Sequence, residues 1–392
     1  MWLPKTEKEI IDAVTSRSLE ESTTFDAKKE LSGKNSEIAK DIAAMANDGG
    51  VIIYGIGEDD NKRLSILSPI SLAGQAERID AIVRSSIAEP PQIHISTIPT
   101  GKDNSIGYMV VFIPPSERAP HMVIVKGENR YYGRTATGNI PLSEGEVSRL
   151  YARREKIEVD RNKLLEEEIK SAPIEPNEDF AYLYLFSRPV FSKEGFFDAI
   201  QKDDKSYQTT FNELIIQACD EKFFNYHLFV PEFNPPSRWI QRVDSLLGQM
   251  GYDPSNPPES TLNLQIDYDG VNHLFCGRAG EAIDHRKPVF IFADIVAGLT
   301  TRFIAFNSML YKLAGYFGMI DLGIAITGLK GSIVYTNDWH IQISRTPYDQ
   351  DIYKKSGQFS NFELIEDPKK IAKYLVMPCI NAISQNRINP FI

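Results

Sequence analysis

A helix pattern followed directly by two glycines and an apolar strand constrains the fold of this chain more than any other feature. In "NSEIAKDIAAMANDGG", Ile38, Ile42 and Met45 recur at helical spacing with alanines between them. Gly49 and Gly50 can end this helix through a left-handed residue. The segment "VIIYGIG" that follows has the unbroken apolar run of a buried strand. This order predicts a helix that packs on a sheet.

The sequence to about residue 140 continues as helices and strands. "AERIDAIVRSSI" predicts a second helix, "IHISTIPT" and "IGYMVVFIPP" predict paired strands, and "HMVIVKGENRYYGRT" predicts a hairpin. Helices on a mostly antiparallel sheet make an α+β domain, to which we assign residues 1–150. The charge-dense run that follows predicts a helical linker over residues 151–174.

Residues 175–392 have the pattern of a second, mixed α/β domain. "AYLYLFS" predicts its first strand, and "KEGFFDAIQ", "TTFNELIIQACDEKFF" and "RWIQRVDSLLGQMG" predict helices. A long helix is predicted near residues 294–317. No motif in this domain indicates a chemistry, and we expect a sensor or regulatory module that controls the first domain.

Composition and motifs exclude several classes of function. The net charge of −10 argues against a generally basic nucleic-acid-binding protein. It does not exclude a local basic groove, because a phosphate responds to the nearby field. No Walker loop, GxSxG or HExxH motif is present, and the cysteines form no CxxC pair. The first residues lack the apolar core of a signal peptide, and Lys312 and Asp321 interrupt the most apolar late stretch. We therefore expect a cytoplasmic protein that does not enter a membrane.

Carboxylates form the remaining group of candidate chemical residues. "ESTTFDAKKEL" places Glu21 and Asp26 five residues apart, with Lys28 two residues later, and "EDD" directly follows the apolar strand. Carboxylates are the hard oxygen ligands that Mg²⁺ and Mn²⁺ prefer, and such ions neutralise charge on a phosphodiester. Lys28 would add a fixed positive charge for the same phosphate. The alternative is an ordinary solvated surface, because a chain with 53 acidic residues groups some of them by chance.

Three segments taken together resemble the Schlafen core, which is also called the AlbA-like DNA-binding domain. They are "ESTTFDAKKEL", "IAKDIAAMANDGGVIIYGIGEDD" and "RAPHMVIVKGENRYYGRTATGNIPLSEGEVSRLY". The family pattern is an E-S-x-x-x-E-F-K run, a helix, an A-N-x-x-G-G turn, a strand that ends in I-G-V-D-D, and a later Y-x-R-x-G-type hairpin. The resemblance covers residues 15–150 and does not extend to the second half of the chain.

The resemblance implies a metal-dependent endoribonuclease, because some Schlafen proteins cleave tRNA or rRNA with three acids and a divalent ion. The matching positions in this sequence are Glu21, Asp26 and Glu58, with Lys28 as the lysine of the first run. The implied cofactor is Mg²⁺ or Mn²⁺. Asp replaces Glu at position 26 and Glu replaces Asp at position 58. All three positions therefore keep a carboxylate, while the lengths of two ligand side chains change.

We therefore expect an endoribonuclease that acts on structured RNA such as tRNA, in stress or antiviral defence. Lys28, Lys29, Arg130 and Arg134 are the candidate contacts to nucleic acid. Surface hairpin charge is the alternative for the two arginines, and the residues alone indicate ordinary solvated charge for Lys29, as they do for Lys34 and Lys40. Two other functions stay open: a non-catalytic transcriptional regulator that binds nucleic acid, DNA included, and a structural or sensor protein with a relic site. The acids favour the nuclease, because carboxylates that face phosphates do not help a passive binding groove.

Animal Schlafen cores resemble two copies of this domain, joined in one chain around a basic groove that holds RNA. This sequence shows one copy, and its first 150 residues contain fewer Lys and Arg than Asp and Glu. The resemblance therefore implies a homodimer, whose twofold axis would bring two sets of basic residues to one cleft. The alternative is a monomer in which residues 175–392 form the other wall of the groove.

Overall fold

The fold is known from a computed structural model, which describes most of the chain. The described residues are 2–101, 103–125, 128–135, 138–190, 196–197, 207–220, 222–223, 232–250, 258–283, 286–335, 348–385 and 388–391. They form two compact units, Met1–Glu158 and Val159–Ile392. Helices and strands are both abundant in these units, so the predicted α+β class is confirmed.

The division between the units lies inside one long helix, Glu144–Lys170. The charge-dense sequence of this segment led to the prediction of a helical linker over residues 151–174. The domain limits drawn from the sequence, at residues 150 and 175, stay predictions. Within the described part of the chain, every helix is too short or too polar to cross a membrane.

The first unit is built from short elements. In chain order they are α1 (Glu7–Thr15), β1 (Phe25–Lys28), α2 (Asn35–Met45), β2 (Gly50–Tyr54), β3 (Ile56–Glu58), β4 (Leu64–Leu67), β5 (Ile70–Ser71), α3 (Gln75–Ser86), β6 (His94–Thr100), β7 (Asp103–Ile113), β8 (Met122–Val125), β9 (Glu128–Thr135) and β10 (Gly138–Pro141), followed by α4 (Glu144–Lys170).

The main sheet of the first unit has the strand order β1-β2-β7-β5, with β6 also paired to β7. β1 and β2 are parallel and the other pairs are antiparallel, which confirms the predicted mostly antiparallel sheet. β2 is buried along its whole length, as its apolar run predicts. Ile38, Ile42 and Met45 of α2 share one hydrophobic core with Ile52 and Tyr54 of β2. The predicted packing of this helix on the sheet is therefore confirmed.

A left-handed glycine makes the short turn between α2 and β2. Gly49 has a φ of +80°, and its backbone N–H donates to the Met45 carbonyl at 2.8 Å. A Cβ at this position would lie 2.5 Å from a ring carbon of Pro115. Glycine is needed for both reasons, the backbone conformation and the close approach. The turn lets β2 begin directly after the helix, beside β1.

A second sheet, with the order β10-β9-β8, follows in the first unit. β9 and β10 are antiparallel, and Asn139 lies directly opposite Arg134. The side-chain amide of Asn47, just after α2, donates to the Tyr132 carbonyl of β9 at 2.8 Å. This buried hydrogen bond holds β9 next to α2. The predicted hairpin is confirmed as β8 and β9, although its turn at 126–127 lies outside the described residues.

The second unit is organised around a large sheet and a buried helix. Its elements are β11 (Phe180–Pro189), α5 (Tyr207–Ala218), β12 (Arg238–Gln241), β13 (Ser245–Met250), a 3₁₀ turn (Pro258–Ser260), β14 (Leu262–Asp267), β15 (Asn272–Ile283), β16 (Arg286–Ile291), α6 (Ala293–Leu313), β17 (Met319–Thr327), β18 (Ile333–Val334), β19 (Tyr353–Ser360), α7 (Asn361–Glu366) and α8 (Pro368–Ser384). The main strand order is β12-β13-β14-β15-β11-β17-β19. The predicted long helix is confirmed as α6, which is buried along most of its length.

The prediction of a helix over "RWIQRVDSLLGQMG" is wrong. The segment forms the antiparallel strands β12 and β13, whose turn is closed by a hydrogen bond from Arg242 N–H to the Ser245 carbonyl at 2.9 Å. Leu246 and Met250 do recur at helical spacing, but β13 also pairs along its length with β14. This tertiary pairing overrides the local pattern. The helix predicted at "KEGFFDAIQ" lies largely outside the described residues.

Candidate functional site

Strand β1 places an acid and a lysine on one face of the sheet. Side chains alternate between the two faces of a strand, so Asp26 and Lys28 share a face while Phe25 and Ala27 point to the other. Asp26 is 1% exposed. A buried carboxylate is expensive unless charged and hydrogen-bonded partners surround it. The position of Asp26 therefore requires cations nearby.

Two cations meet the Asp26 carboxylate. Arg134 Nη2 lies 3.0 Å from Oδ1, and Lys28 Nζ lies 3.0 Å from Oδ2. The Arg134 side chain is only 4% exposed, whereas that of Lys28 is 33% exposed. Oδ2 has the Lys28 ion pair but no regular hydrogen bond in the described part of the chain. Arg134 is thus a buried partner, and Lys28 is the cation that solvent and a ligand can reach.

Strand β9 brings Arg134 to this point, over a hundred residues later in the chain. Its Nε–H donates to the Ser22 carbonyl at 3.2 Å, which ties the guanidinium to the loop before β1. This loop also carries Glu21. Arg134 therefore fixes the position of both predicted acids, one through an ion pair and the other through its neighbouring backbone.

Helix α2 contributes a third acid, Asp41, which the sequence analysis missed. Asp41 Oδ1 accepts a hydrogen bond of 2.6 Å from Asn139 Nδ2, and Asp41 Oδ2 lies 3.6 Å from Lys28 Nζ. Burial raises the pKa of Asp41, and the charge of Lys28 opposes the increase. One sequence signal was available: Asp41 is a charged residue on the apolar face that Ile38 and Ile42 define.

Glu21 forms a carboxyl pair with Asp26. Burial, a hydrogen bond with Asp26 and the like charge of Asp26 together raise the pKa of Glu21 to about 7, although Arg134 acts in the opposite direction. Two carboxyl groups at hydrogen-bond distance favour a shared proton. At neutral pH the pair therefore changes easily between a protonated and a fully ionised state.

These residues line one open cleft of about 310 Å³. The lining residues are Glu21, Asp26, Lys28, Glu37, Lys40, Asp41, Tyr132, Arg134, Gly138 and Asn139. Lys40 Nζ lies 5.1 Å from the centre of the Tyr132 ring, and the Lys40 side chain is 20% exposed. The expectation that Lys40 is ordinary solvated charge is therefore wrong, because it packs on an aromatic ring in the cleft.

Glu58 lies in a neighbouring cleft. It is exposed at the end of β3, where it lines a polar space of about 710 Å³ together with Glu21, Arg17, Lys62 and Arg63. Glu21 borders both clefts, so it is the residue that connects Glu58 with Asp26. Among the described residues, no three Asp, Glu, His or Cys side chains are close enough together to hold a metal ion.

Lys29 and Arg130 lie apart from the other predicted contacts. Both are exposed, and neither lines the clefts described above. Lys29 directly follows the last residue of β1, and its side chain is outside both clefts. Of the predicted nucleic-acid contacts, Lys28 and Arg134 are brought together, while Lys29 and Arg130 are not.

A protein-family model matches the part of the chain that supplies most residues of these clefts. Residues 21–143 match the family model described as Schlafen, AlbA_2. The match begins at Glu21 and includes Asp26, Lys28, Asp41 and Arg134. It indicates a domain of nucleic-acid-binding or nuclease type. No curated protein matches the chain, and the second half has no family match.

The divalent cation stays a prediction, and of its three predicted ligands the structure brings Glu21 and Asp26 together. Mg²⁺ in proteins is commonly held by one or two carboxylates, with water and substrate phosphate as further ligands. Glu21 and Asp26 supply two carboxylates, and Asp26 Oδ2 is already ion-paired with Lys28. The pair thus offers two hard oxygen ligands, and the addition of Glu58 as a third stays a prediction.

The pKa of Glu21 provides a test of this geometry. In Asp26→Asn the like charge is lost, so the ionised form of Glu21 becomes more favourable and its pKa should fall from about 7 toward the ordinary 4.5. Side-chain ¹³C NMR titration of the full chain measures this value. Asp48→Asn is the matched control, because Asp48 is exposed and pairs with Arg153 elsewhere. A Glu21 pKa that stays near 7 in Asp26→Asn would contradict the carboxyl pair.

Proposed function

We propose that the Schlafen domain is a metal-dependent endoribonuclease that acts on structured RNA such as tRNA, with Mg²⁺ or Mn²⁺. The observation that carries this proposal is the Glu21–Asp26 carboxyl pair, which lies in an open cleft beside Lys28 and Arg134. A carboxyl group that titrates near neutral pH and a cation at the same cleft are what phosphodiester cleavage needs. The family match supports a nucleic acid as the ligand.

Each residue of the cleft has a role that follows from its position. Glu21, which borders both clefts, would hold the divalent ion together with Asp26. Lys28 is the partly exposed cation, so it can turn toward a phosphate oxygen while it stays near Asp26. Arg134 and Asn139 are positioning residues, because they hold Asp26 and Asp41 in place.

The divalent ion would be held by Glu21 and Asp26. When bound, such an ion neutralises charge on the phosphodiester and lowers the pKa of an attacking water. The shared proton of the carboxyl pair would have to leave first, which is consistent with a Glu21 pKa close to neutral. Glu58, in the adjoining cleft, is proposed as the further carboxylate that completes the site from the other side of Glu21.

Binding without catalysis is the second candidate function. The observation that favours it is the lack of a three-ligand metal group among the described residues. In that case the Asp26 carboxylate would serve only to hold Lys28 and Arg134 in place. RNA is the proposed nucleic acid, and DNA, like the homodimer, stays a prediction.

Cleavage of tRNA by the full chain distinguishes the two functions. With total tRNA and Mn²⁺ or Mg²⁺ we expect defined fragments, and none with EDTA. Glu21→Gln and Asp26→Asn should each lower the cleavage rate at least 100-fold, roughly the scale of a lost group that stabilises charge in the transition state. Denaturing gel electrophoresis measures the rate. Asp80→Asn is the matched control, because Asp80 is a half-exposed acid on α3 that pairs only with Arg84 in the described contacts.

The outcomes separate the parts of the proposal. Undiminished cleavage by the Glu21→Gln, Asp26→Asn double variant would reject this site. If cleavage persists in EDTA but is lost in Glu21→Gln, the metal requirement is rejected and the role of the carboxyl pair is supported. Tight tRNA binding without any fragments, with either ion, would support the non-catalytic function.

Lys28 gives an independent prediction. Lys28→Ala removes the one cation of the Asp26 pair that solvent can reach, so cleavage should slow by about tenfold or more. Lys29→Ala is the matched control, since Lys29 is adjacent in sequence but lies outside the cleft. Equal rates for both variants would show that Lys28 acts only as surface charge. Circular dichroism checks that each variant is folded.

A further inference from the structure

An apolar cavity of about 420 Å³ opens in the second unit, between β15, β16 and the beginning of α6. Its lining residues are Arg278, Glu281, Ile283, Phe290, Phe292, Ala293, Asp294, Ile295, Tyr335 and Ile388. Most of this surface is apolar, and the charged groups are few. A volume of this size is typical of small-molecule sites.

Three aromatic rings form one corner of this cavity. The Tyr335 ring lies 6.4 Å from Phe290 at an interplanar angle of 80°, and 5.9 Å from Phe292 at 68°. Tyr335 is nevertheless 45% exposed. An exposed tyrosine that stands across two phenylalanines leaves aromatic surface uncovered at the opening. The faces of such rings carry negative charge density and attract cations.

A carboxylate without a partner lies next to these rings. Asp294 is in the first turn of α6, where the helix dipole favours its charged form. It is exposed and has no ion pair or hydrogen bond in the described part of the chain, and its partial burial raises its pKa. The other two charges of the cavity neutralise each other, because the Arg278 guanidinium donates to both oxygens of Glu281 at 2.6 and 2.7 Å.

We propose that this aromatic cavity, formed by Phe290, Phe292 and Tyr335 with Asp294, binds an organic cation of the alkylammonium class. The rings would attract the charge and cover the methyl groups, and Asp294 would supply the opposite charge. Asp294 would repel an anion. The Arg278 guanidinium could not attract it, because it is already paired with Glu281. A bare metal ion would meet mostly carbon instead of the oxygen ligands it needs. A neutral apolar molecule would gain nothing from the charge of Asp294.

This site is independent of the proposed nuclease. All its residues belong to the second unit, which has no family match. A ligand bound in this cavity would give the second unit a signal to respond to, as the predicted sensor or regulatory role requires.

Choline and its neutral isostere test the proposal directly. In 3,3-dimethyl-1-butanol a carbon replaces the charged nitrogen of choline, so the two probes have the same shape and differ in charge. Isothermal titration of the full chain should show that choline binds about tenfold more tightly than the alcohol. Tyr335→Ala and Asp294→Asn should each weaken choline binding about tenfold. Tyr374→Ala is the matched control, because Tyr374 is an equally exposed tyrosine outside the cavity.

Tyr335→Phe keeps the ring and should bind choline within about twofold of the wild type. This variant separates loss of the ring from loss of the fold. Equal affinity for choline and the alcohol would overturn the proposal. So would choline binding that Tyr335→Ala and Asp294→Asn leave unchanged. The same conclusion would follow if neither choline nor tetramethylammonium bound at about 50 mM, well above the ~1 mM range of weak sites.

Discussion

The ion pairs of one buried carboxylate, Asp26, determine the organisation of the first unit. Asp26 is almost fully buried, and it needs Arg134 and Lys28 to remain there. Arg134 comes from a second sheet, so this contact connects the start of the chain with β9. Loss of one partner would leave an uncompensated charge in the core, which typically costs about 3–5 kcal/mol. The cleft and its chemistry both depend on this arrangement.

The charge of Asp26 also raises the pKa values of two neighbouring acids, Glu21 and Asp41. Burial, together with the hydrogen bond to Asp26 and its like charge, raises the pKa of Glu21 to about 7. Asp41 reaches Lys28 from the other side and is held by Asn139. Four acids and three cations line this cleft, and its charge can change near neutral pH through Glu21. The second unit also contains a partly buried cluster of ion-paired side chains. There, although burial opposes it, hydrogen bonds to Asp267 and Glu168 raise the pKa of His273 to about 10.

Local patterns in the sequence predicted much of this architecture. The apolar period of α2, the glycine turn and the run of β2 are local signals, and each is confirmed. Glu21, Asp26 and Lys28 were found because they are close in sequence. Asp41 and Asn139 were missed because only the packing of α2 against β9 and β10 brings them to β1. The helix predicted over β12 and β13 failed for the same reason, since pairing with β14 is a tertiary contact.

One measurement tests most directly whether RNA binds in the cleft that Asp26, Arg134 and Asn139 line. The Arg134 Nε–H and the Asn139 side-chain amide give NMR signals that report on the Ser22 and Asp41 contacts. An RNA hairpin should be added to the full chain in EDTA, so that it stays intact. We expect both signals to shift, with saturation at the RNA concentration that fluorescence anisotropy gives for binding. RNA that binds while both signals stay unchanged would contradict the account.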